Sequence, residues 1–408
     1  MTDATRVLVI GAGFAGLEVA KAARGIKGVE VVLVDRHPYQ LFSPLLYQVA
    51  TGGLPEDDIA YPVRAAIPGV TFVRGEVVSV DPQRHRVRLS DGQDLHYDQL
   101  VIATGSVGTT FGIPGVEEHA LQMKSLKDAR TIKQRLFGTY EDVQEGRLPR
   151  EALRIVVVGG GPTGVEVAGS VAELQRSMDR EYPDIARYAS VTLVEAGPRL
   201  LPSFSEESSD HAREELEDLG VTVKLDCAVD RMYEKDVHLK SGEILPAGTV
   251  VWAAGVAAPE QWESLARTGP GRRLVVDEFL RVPGVPDVWV VGDTAAFSED
   301  GGPPLPMVAP VAMQQGRHVV RNIAALVSGR LLEPFRYVDK GQMATIGRRR
   351  AVAETPQGIR LHGTPAWLAW LALHVAYLAG GRNRVSVLAD WAWNYLAWGI
   401  GPRRAVIE

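Results

Sequence analysis

Gly11, Gly13 and Gly16 stand at G-x-G-x-x-G spacing directly after the aliphatic run Val7 to Ile10, and Asp35 closes a second apolar run, Val29 to Val34. The three glycines allow, in turn, a tight bend, a close backbone approach to a pyrophosphate, and close packing of helix on strand. The helix that opens there offers free N–H groups and the positive end of its dipole to phosphate. Asp35 follows Gly11 by 24 positions, close to the spacing at which a carboxylate accepts a ribose hydroxyl. Strand, glycines, helix, strand and terminal acid in this order describe a dinucleotide site.

The device recurs. Arg154 to Val158 reads as a strand, Gly159, Gly161 and Gly164 repeat the spacing, and Val191 to Val194 leads to Glu195. Two such sites in one chain imply two dinucleotides.

The elements that must position them follow from pattern. Short alternating runs between Val70 and Leu100, broken by Asp-Pro and Asp-Gly, read as antiparallel strands feeding one more parallel strand that ends in Thr104-Gly105. A helix-compatible stretch, Met123 to Leu148, leads to the second glycine unit. That unit continues through a helix near Ser205 to Leu219, a strand Val221 to Leu225 and the run Val250 to Gly255. Val288 to Asp293 returns to buried-strand character, so the second domain reads as an insertion in the first. Pro310 to Leu326 has helical spacing, and Tyr337 to Val352 reads as strands outside both nucleotide folds. The expected architecture is α/β, with two Rossmann-like dinucleotide-binding domains plus a C-terminal membrane-associating helical region. Its segments are 1–120 and 259–335 for the first nucleotide domain, 121–258 for the second, and 336–408 for the tail.

Composition narrows the function. At 408 residues with a net charge of −6 and no basic block longer than Arg348 to Arg350, nucleic acid is not an expected partner. The single cysteine, Cys227, excludes an internal disulfide and a C-x-x-C redox pair. No metal-ligand spacing is present. The opening apolar run is sheet core rather than a targeting segment, and no window reaches the ~18 apolar residues of a membrane span. The tail is nevertheless apolar almost all round from Ala366 to Ala379, interrupted by His374. It carries Trp367, Trp370, Trp391, Trp393 and Trp398, with Arg382, Arg384, Arg403 and Arg404. Tryptophan beside arginine is what an interfacial helix presents to lipid headgroups; a subunit interface or a helical cap would use the same residues.

Taken together, FSPLLYQVATGGL (42–54), GGGPTGVEVAGSVAEL (159–174), VGDTA (291–295), APVAMQQGRHVVRNI (309–323), DKGQMATIGRR (339–349) and ADWAWNYLAW (389–398) resemble the type II NADH:quinone oxidoreductases nearly end to end. The resemblance implies FAD in the first unit, contacted by Gly11, Gly13, Ala15, Gly16, Asp35, Arg36, Pro44, Thr104, Gly105, Gly292, Asp293 and Gln315. It implies NADH in the second, on Gly161, Gly164, Glu195 and Gly255. It further implies that Glu166 lies close to nicotinamide and flavin, and that Gln314, Gln315 and Lys340 surround a quinone such as menaquinone or ubiquinone. The family's A-Q-x-A-x-Q motif carries Pro310 at its second position here, which removes one of two glutamines. The implied protein is a non-proton-pumping homodimer, peripheral on the cytoplasmic face of the cell membrane.

Other two-dinucleotide reductases fit less well. Disulfide reductases and sulfide:quinone oxidoreductases need cysteines that Cys227 alone does not supply, and a ferredoxin-type reductase has no use for an aromatic tail. A flavin-dependent sensor that binds NADH without turnover is the alternative from another class.

Overall fold

A computed structural model describes residues 4–396; Trp398, Arg403 and Arg404 lie outside them. The longer helices are, in chain order, α1 (Phe14–Ala23), α2 (Leu126–Gln144), α3 (Pro162–Met178), α4 (Glu206–Asp218), α5 (Ala309–Val327), α6 (Gly363–Tyr377) and α7 (Gly381–Leu396). The chain divides into two compact units. The first holds the chain up to Leu41, Ala60–Val107 and Val256–Asp339; the second holds Phe42–Ile59, Gly108–Gly255 and the chain from Lys340.

In the first unit a six-stranded sheet runs in the order Arg281–Val282, Val285–Val290, Gln99–Ile102, Thr5–Ile10, Val29–Asp35, Thr71–Arg74. All pairings are parallel except the edge pair of Arg281–Val282 with Val285–Val290. Val7, Leu8 and Val9 are wholly buried, which is why this strand is aliphatic on both faces. From it the chain moves to Val29–Asp35 on one side and later to Gln99–Ile102 on the other. That makes the end of Thr5–Ile10 a topological switch point, where open α/β sheets bind ligands.

The second unit repeats the plan with five parallel strands, Ala120–Gln122, Thr249–Trp252, Arg154–Val158, Ser190–Val194 and Val221–Lys224 in sheet order. Its switch point lies at the end of Arg154–Val158. Each unit also carries a three-stranded antiparallel sheet before its last central strand: Val77–Asp81, Arg86–Leu89 and Asp94–His96 in one, Val229–Tyr233, Asp236–Leu239 and Ile244–Pro246 in the other.

Phe42–Ile59, which the sequence reading places within 1–120, falls in the second unit. Its contacts with the tail explain this. Tyr47 packs on Trp370 of α6, and the Gln48 amide oxygen accepts from Trp391 Nε1 of α7 at 2.7 Å. Asn383 donates to the carbonyls of Asp57 and Asp58, and Asn394 to that of Gly53. The passages between units come at 107/108 and 255/256, where the sequence reading put them at 120/121 and 258/259.

The tail is two helices. α6 buries Ala366, Trp367 and Trp370 and leaves Leu368, Leu373 and Tyr377 exposed; α7 buries Val387 and Trp391 and exposes Val385, Leu388 and Trp393. Among the described residues no helix is long and apolar enough to cross a membrane. Trp391→Phe keeps an aromatic side chain, though a smaller one, and strips the donor from the buried Gln48 oxygen, an expected loss of about 1–3 kcal/mol for the bond. It should appear as a lower urea midpoint for proteolytic removal of α6 and α7; an unchanged midpoint would show that the bond contributes nothing to tail docking.

Candidate dinucleotide and redox site

The two glycine loops are built alike. Gly11 and Gly159 adopt φ of +103° and +114°, and each donates its N–H to the end of the neighbouring strand, at Val34 and Val194, over 2.8 Å. A Cβ on Gly16 would stand 1.8 Å from the Gly11 carbonyl oxygen, and one on Gly164 would stand 1.7 Å from that of Gly159. These four positions need glycine for the protein's own reasons.

The middle glycines do not. Gly13 and Gly161 have ordinary φ of −76° and −73°, and a Cβ there would meet no protein atom within 4 Å. Each is the N-cap of its helix, α1 or α3, with no side chain capping the free N–H groups. An open space before an uncapped helix N-terminus is what a pyrophosphate requires. The residues present therefore fit a dinucleotide in both units.

The acids are held in matching fashion. Asp35 accepts from Ala12 N and His37 N at 2.6 and 2.7 Å; Glu195 accepts from Gly160 N and Gly197 N at 2.5 and 2.7 Å. Each carboxylate is thus fixed beside its glycine loop with lone pairs left for ribose hydroxyls.

In the first unit Thr104, Gly105, Gly292 and Asp293 meet where two strands end. Ser106 donates to Asp293 Oδ2 at 2.5 Å, Thr294 to the Gly105 carbonyl at 2.9 Å, and Trp262 Nε1 to Thr104 Oγ1 at 2.8 Å. Arg273, 5% exposed, donates to the carbonyls of Leu305 and Ala295; burial lowers its pKa, and the charge of Asp293 opposes that. Thr294 belongs to the polar stop that follows Asp293 in VGDTA, whereas Ser106, Trp262 and Arg273 carry no sequence signal that singles them out.

Gln315 is wholly buried on α5. Its Oε1 accepts from Gly292 N at 2.7 Å, while its Nε2 has no hydrogen-bond partner among the described residues. Gln314 differs: Nε2 donates to the Val338 carbonyl at 2.8 Å, and Oε1 accepts from Val338 N at 3.0 Å. That amide ties α5 to the segment entering the tail. Ala15 is buried in the first turn of α1, where its carbonyl oxygen would lie 2.6 Å from a Cβ on Gly316, and Arg36 is exposed and pairs with Glu76.

Pro44, Gly161, Gly164, Glu166, Glu195, Gly255 and Lys340 belong to the second unit. Pro44 lies in the turn Ser43–Leu45, Gly255 has φ +78° with Phe111 against it, and Lys340 is exposed. Glu166, on α3, retains some exposure as a residue, yet its carboxyl is enclosed by protein. Enclosure pushes its pKa up to about 8, against a backbone hydrogen bond from Thr345 that favours the ionised form. In the tail, His374 stacks on Trp370 at 3.9 Å between ring centres, and burial lowers its pKa to about 4, so it is neutral at pH 7. Among the described residues no cluster of His, Cys, Asp and Glu could hold a metal.

Residues 5–316 match the family described as pyridine nucleotide-disulphide oxidoreductase, and residues 340–397 match the NDH2 C-terminal domain. The type II NADH:quinone oxidoreductase NdhA of Mycobacterium tuberculosis is 36% identical over 96% of this chain and 87% of its own length. The chain belongs to the type II NADH:quinone oxidoreductases. The type II enzyme of Staphylococcus aureus is 35% identical over 86% of this chain and 89% of its own. In fold, this type II oxidoreductase superposes on NDH2 from Plasmodium falciparum in complex with NADH with a TM-score of 0.90, at 21% identity, covering 98% and 100% of the two chains. It superposes on the sulfide:quinone oxidoreductase of Aquifex aeolicus with a TM-score of 0.77, at 20% identity, covering 98% and 96%.

Glu166 gives a test of its enclosure. Its folded pKa of about 8 lies above the ordinary 4.5, so the unfolded chain releases this proton first and folding stability falls as pH rises from about 4.5 to about 8. Glu166→Gln escapes that loss. The variant's melting temperature should match the parent near pH 4.5, exceed it increasingly up to pH 8 and keep a constant lead above; a lead independent of pH would show that the carboxyl is not enclosed.

Proposed function

We propose that this chain passes reducing equivalents from NADH through FAD to a membrane quinone, without pumping protons, with FAD on the first glycine loop and NADH on the second. The observation that carries the reading is the pair of loops with open middle glycines and a fixed carboxylate at each, in a chain of this family. Bound FAD supplies the two-electron chemistry that links a hydride donor to a quinone.

The chain's own residues bind, orient and supply protons. Asp35 and Glu195 accept from ribose hydroxyls, and the amides opening α1 and α3 hold the phosphates. A carboxylate at Glu195 repels a 2′-phosphate, so NADH is preferred to NADPH. Ser106, Thr294 and Arg273 hold the loop bearing Asp293 in place. Gln315 has an amide N–H free of protein partners, a donor for a ring carbonyl. Glu166, largely protonated at neutral pH, holds a proton at its carboxyl for the reduced acceptor. Gln314, oriented by its two bonds to the Val338 backbone, keeps a second N–H and a second lone pair for the quinone; Lys340 offers a cation for quinone or its reduced form.

The exposed Leu368, Leu373, Tyr377, Val385, Leu388 and Trp393 support attachment of the tail to a lipid surface, on the cytoplasmic face where NADH is available. A homodimer sharing this apolar surface is part of the same reading.

Mixed anaerobically with NADH, the purified yellow protein should lose its flavin absorbance and regain it on adding a short-chain quinone. Bleaching without recovery would reject quinone as acceptor, and absence of bleaching would favour the sensor. Glu195→Arg should shift the ratio of kcat/KM for NADH and NADPH toward NADPH by roughly tenfold, or about 1.4 kcal/mol; unaltered selectivity would remove Glu195 from the nucleotide site.

A further inference from the structure

Glu166, Gly169 and Glu173 follow one another along α3 at intervals of three and four residues and so share a face. All three meet one structure, the strand Gln342–Gly347 and the residue after it, on the outer side of the sheet formed by Gln342–Gly347, Arg350–Glu354 and Arg360–His362. Glu166 stands one turn before Gly169 on that face, and a backbone hydrogen bond from Thr345 acts to lower its pKa. Arg348 N donates to Glu173 Oε1 at 2.6 Å, and a Cβ on Gly347 would lie 2.9 Å from that same oxygen. Between the two acids, Gly169 lets the Ile346 carbonyl come so close that a Cβ there would stand 1.7 Å from its oxygen and 2.8 Å from its carbon. The obstacle is backbone, so any side chain at 169 must push the strand away.

The arrangement is a two-ended clasp. Glu173 takes the Arg348 N–H at one end, Glu166 stands at the other, and a glycine in the middle sets the depth. The nucleotide loop explains neither Gly169 nor Glu173, since the loop ends at Gly164 and the third glycine already packs helix on strand. We propose that Gly169 and Glu173 are positioning residues for Glu166, seating the strand Gln342–Gly347 on α3 so that Thr345 delivers its N–H to the Glu166 carboxyl. The functional weight of this rests on the reading that Glu166 serves the redox reaction.

The consequence is directional. An N–H aimed at the ionised carboxyl favours ionisation, so loosening the clasp must strengthen the hold of Glu166 on its proton. No charged side chain shifts the titration of Glu166; enclosure and the Thr345 bond set it. The charged groups along the clasp are Glu173 itself and Arg348, while the strand Gln342–Gly347 and the packed segment Leu46–Ala50 bring no acidic or basic group besides the Tyr47 phenol.

The test reads Glu166 without using turnover. In the flavin-loaded protein, the difference in melting temperature between Glu and Gln at 166, followed against pH, has its upper inflection at the native pKa of Glu166. Repeated in a Gly169→Ala background, that inflection should rise by roughly one pH unit, and amide exchange at Thr345 and Arg348 should quicken by about tenfold or more. Glu173→Ala should move the inflection the same way by less, whereas Glu173→Gln, whose amide oxygen still accepts from Arg348, should leave it in place. An inflection that stays put in both Gly169→Ala and Glu173→Ala overturns the proposal. If Gly169→Ala does not fold, Glu173→Ala against Glu173→Gln decides it. Shifted inflections together with full NADH:quinone turnover in Glu166→Gln would uphold the clasp and reject the role of Glu166 in the reaction.

Discussion

A helix pressed against the strand that precedes it, with no side chain between them, is the constraint on which each unit depends. Gly16 lies on the carbonyl of Gly11, and Gly164 on that of Gly159, at distances only a missing Cβ allows. This contact fixes where α1 and α3 begin. It thereby fixes where their uncapped N–H groups point and where Gly13 and Gly161 open a space. The acid at the end of the next strand is then tied to the same loop, Asp35 through Ala12 N and Glu195 through Gly160 N. Phosphate affinity and ribose recognition both follow from one close approach.

The differences between the units carry the division of labour. The first surrounds its loop with the ends of Gln99–Ile102 and Val285–Val290, where Ser106, Thr294 and the buried Arg273 brace Asp293, and with Gln315 on α5. The second carries an enclosed acid, Glu166, on the helix that opens its own loop. It also carries the tail, so the exposed apolar side chains of α6 and α7 belong to the same unit as Glu166 and Glu195.

What was legible in the sequence was local. Aliphatic runs, glycine spacing and the terminal acids specify strand, turn and helix within thirty or so residues, and they specify them twice. Asp293 stands out as a polar stop at the end of an apolar strand, whereas Glu166 is singled out only because its surrounding motif resembles a family. What was not legible depends on partners far apart in the chain. Nothing near Phe42–Ile59 announces that Gln48 will bond to Trp391, and nothing near Arg348 announces Glu173. One N–H and one oxygen lone pair of the Gln314 amide bond the backbone of Val338, a pairing with no periodic trace, and one of each is left over. Ser106, Trp262 and Arg273 brace the site from positions whose residue types are common in any loop.

The central claim, that two similar loops hold different dinucleotides, is tested most directly by filling the space before each middle glycine. A Cβ at Gly13 or Gly161 meets no protein atom within 4 Å and φ is ordinary at both, so Gly13→Val and Gly161→Val should both fold and differ only in what they bind. The measurement is bound flavin per chain together with the rate of flavin bleaching by NADH. The account requires Gly13→Val to lose flavin, and Gly161→Val to keep it while bleaching at least tenfold more slowly at low NADH, about 1.4 kcal/mol of lost binding. Flavin retained in Gly13→Val, or lost in Gly161→Val with the fold intact, would contradict it.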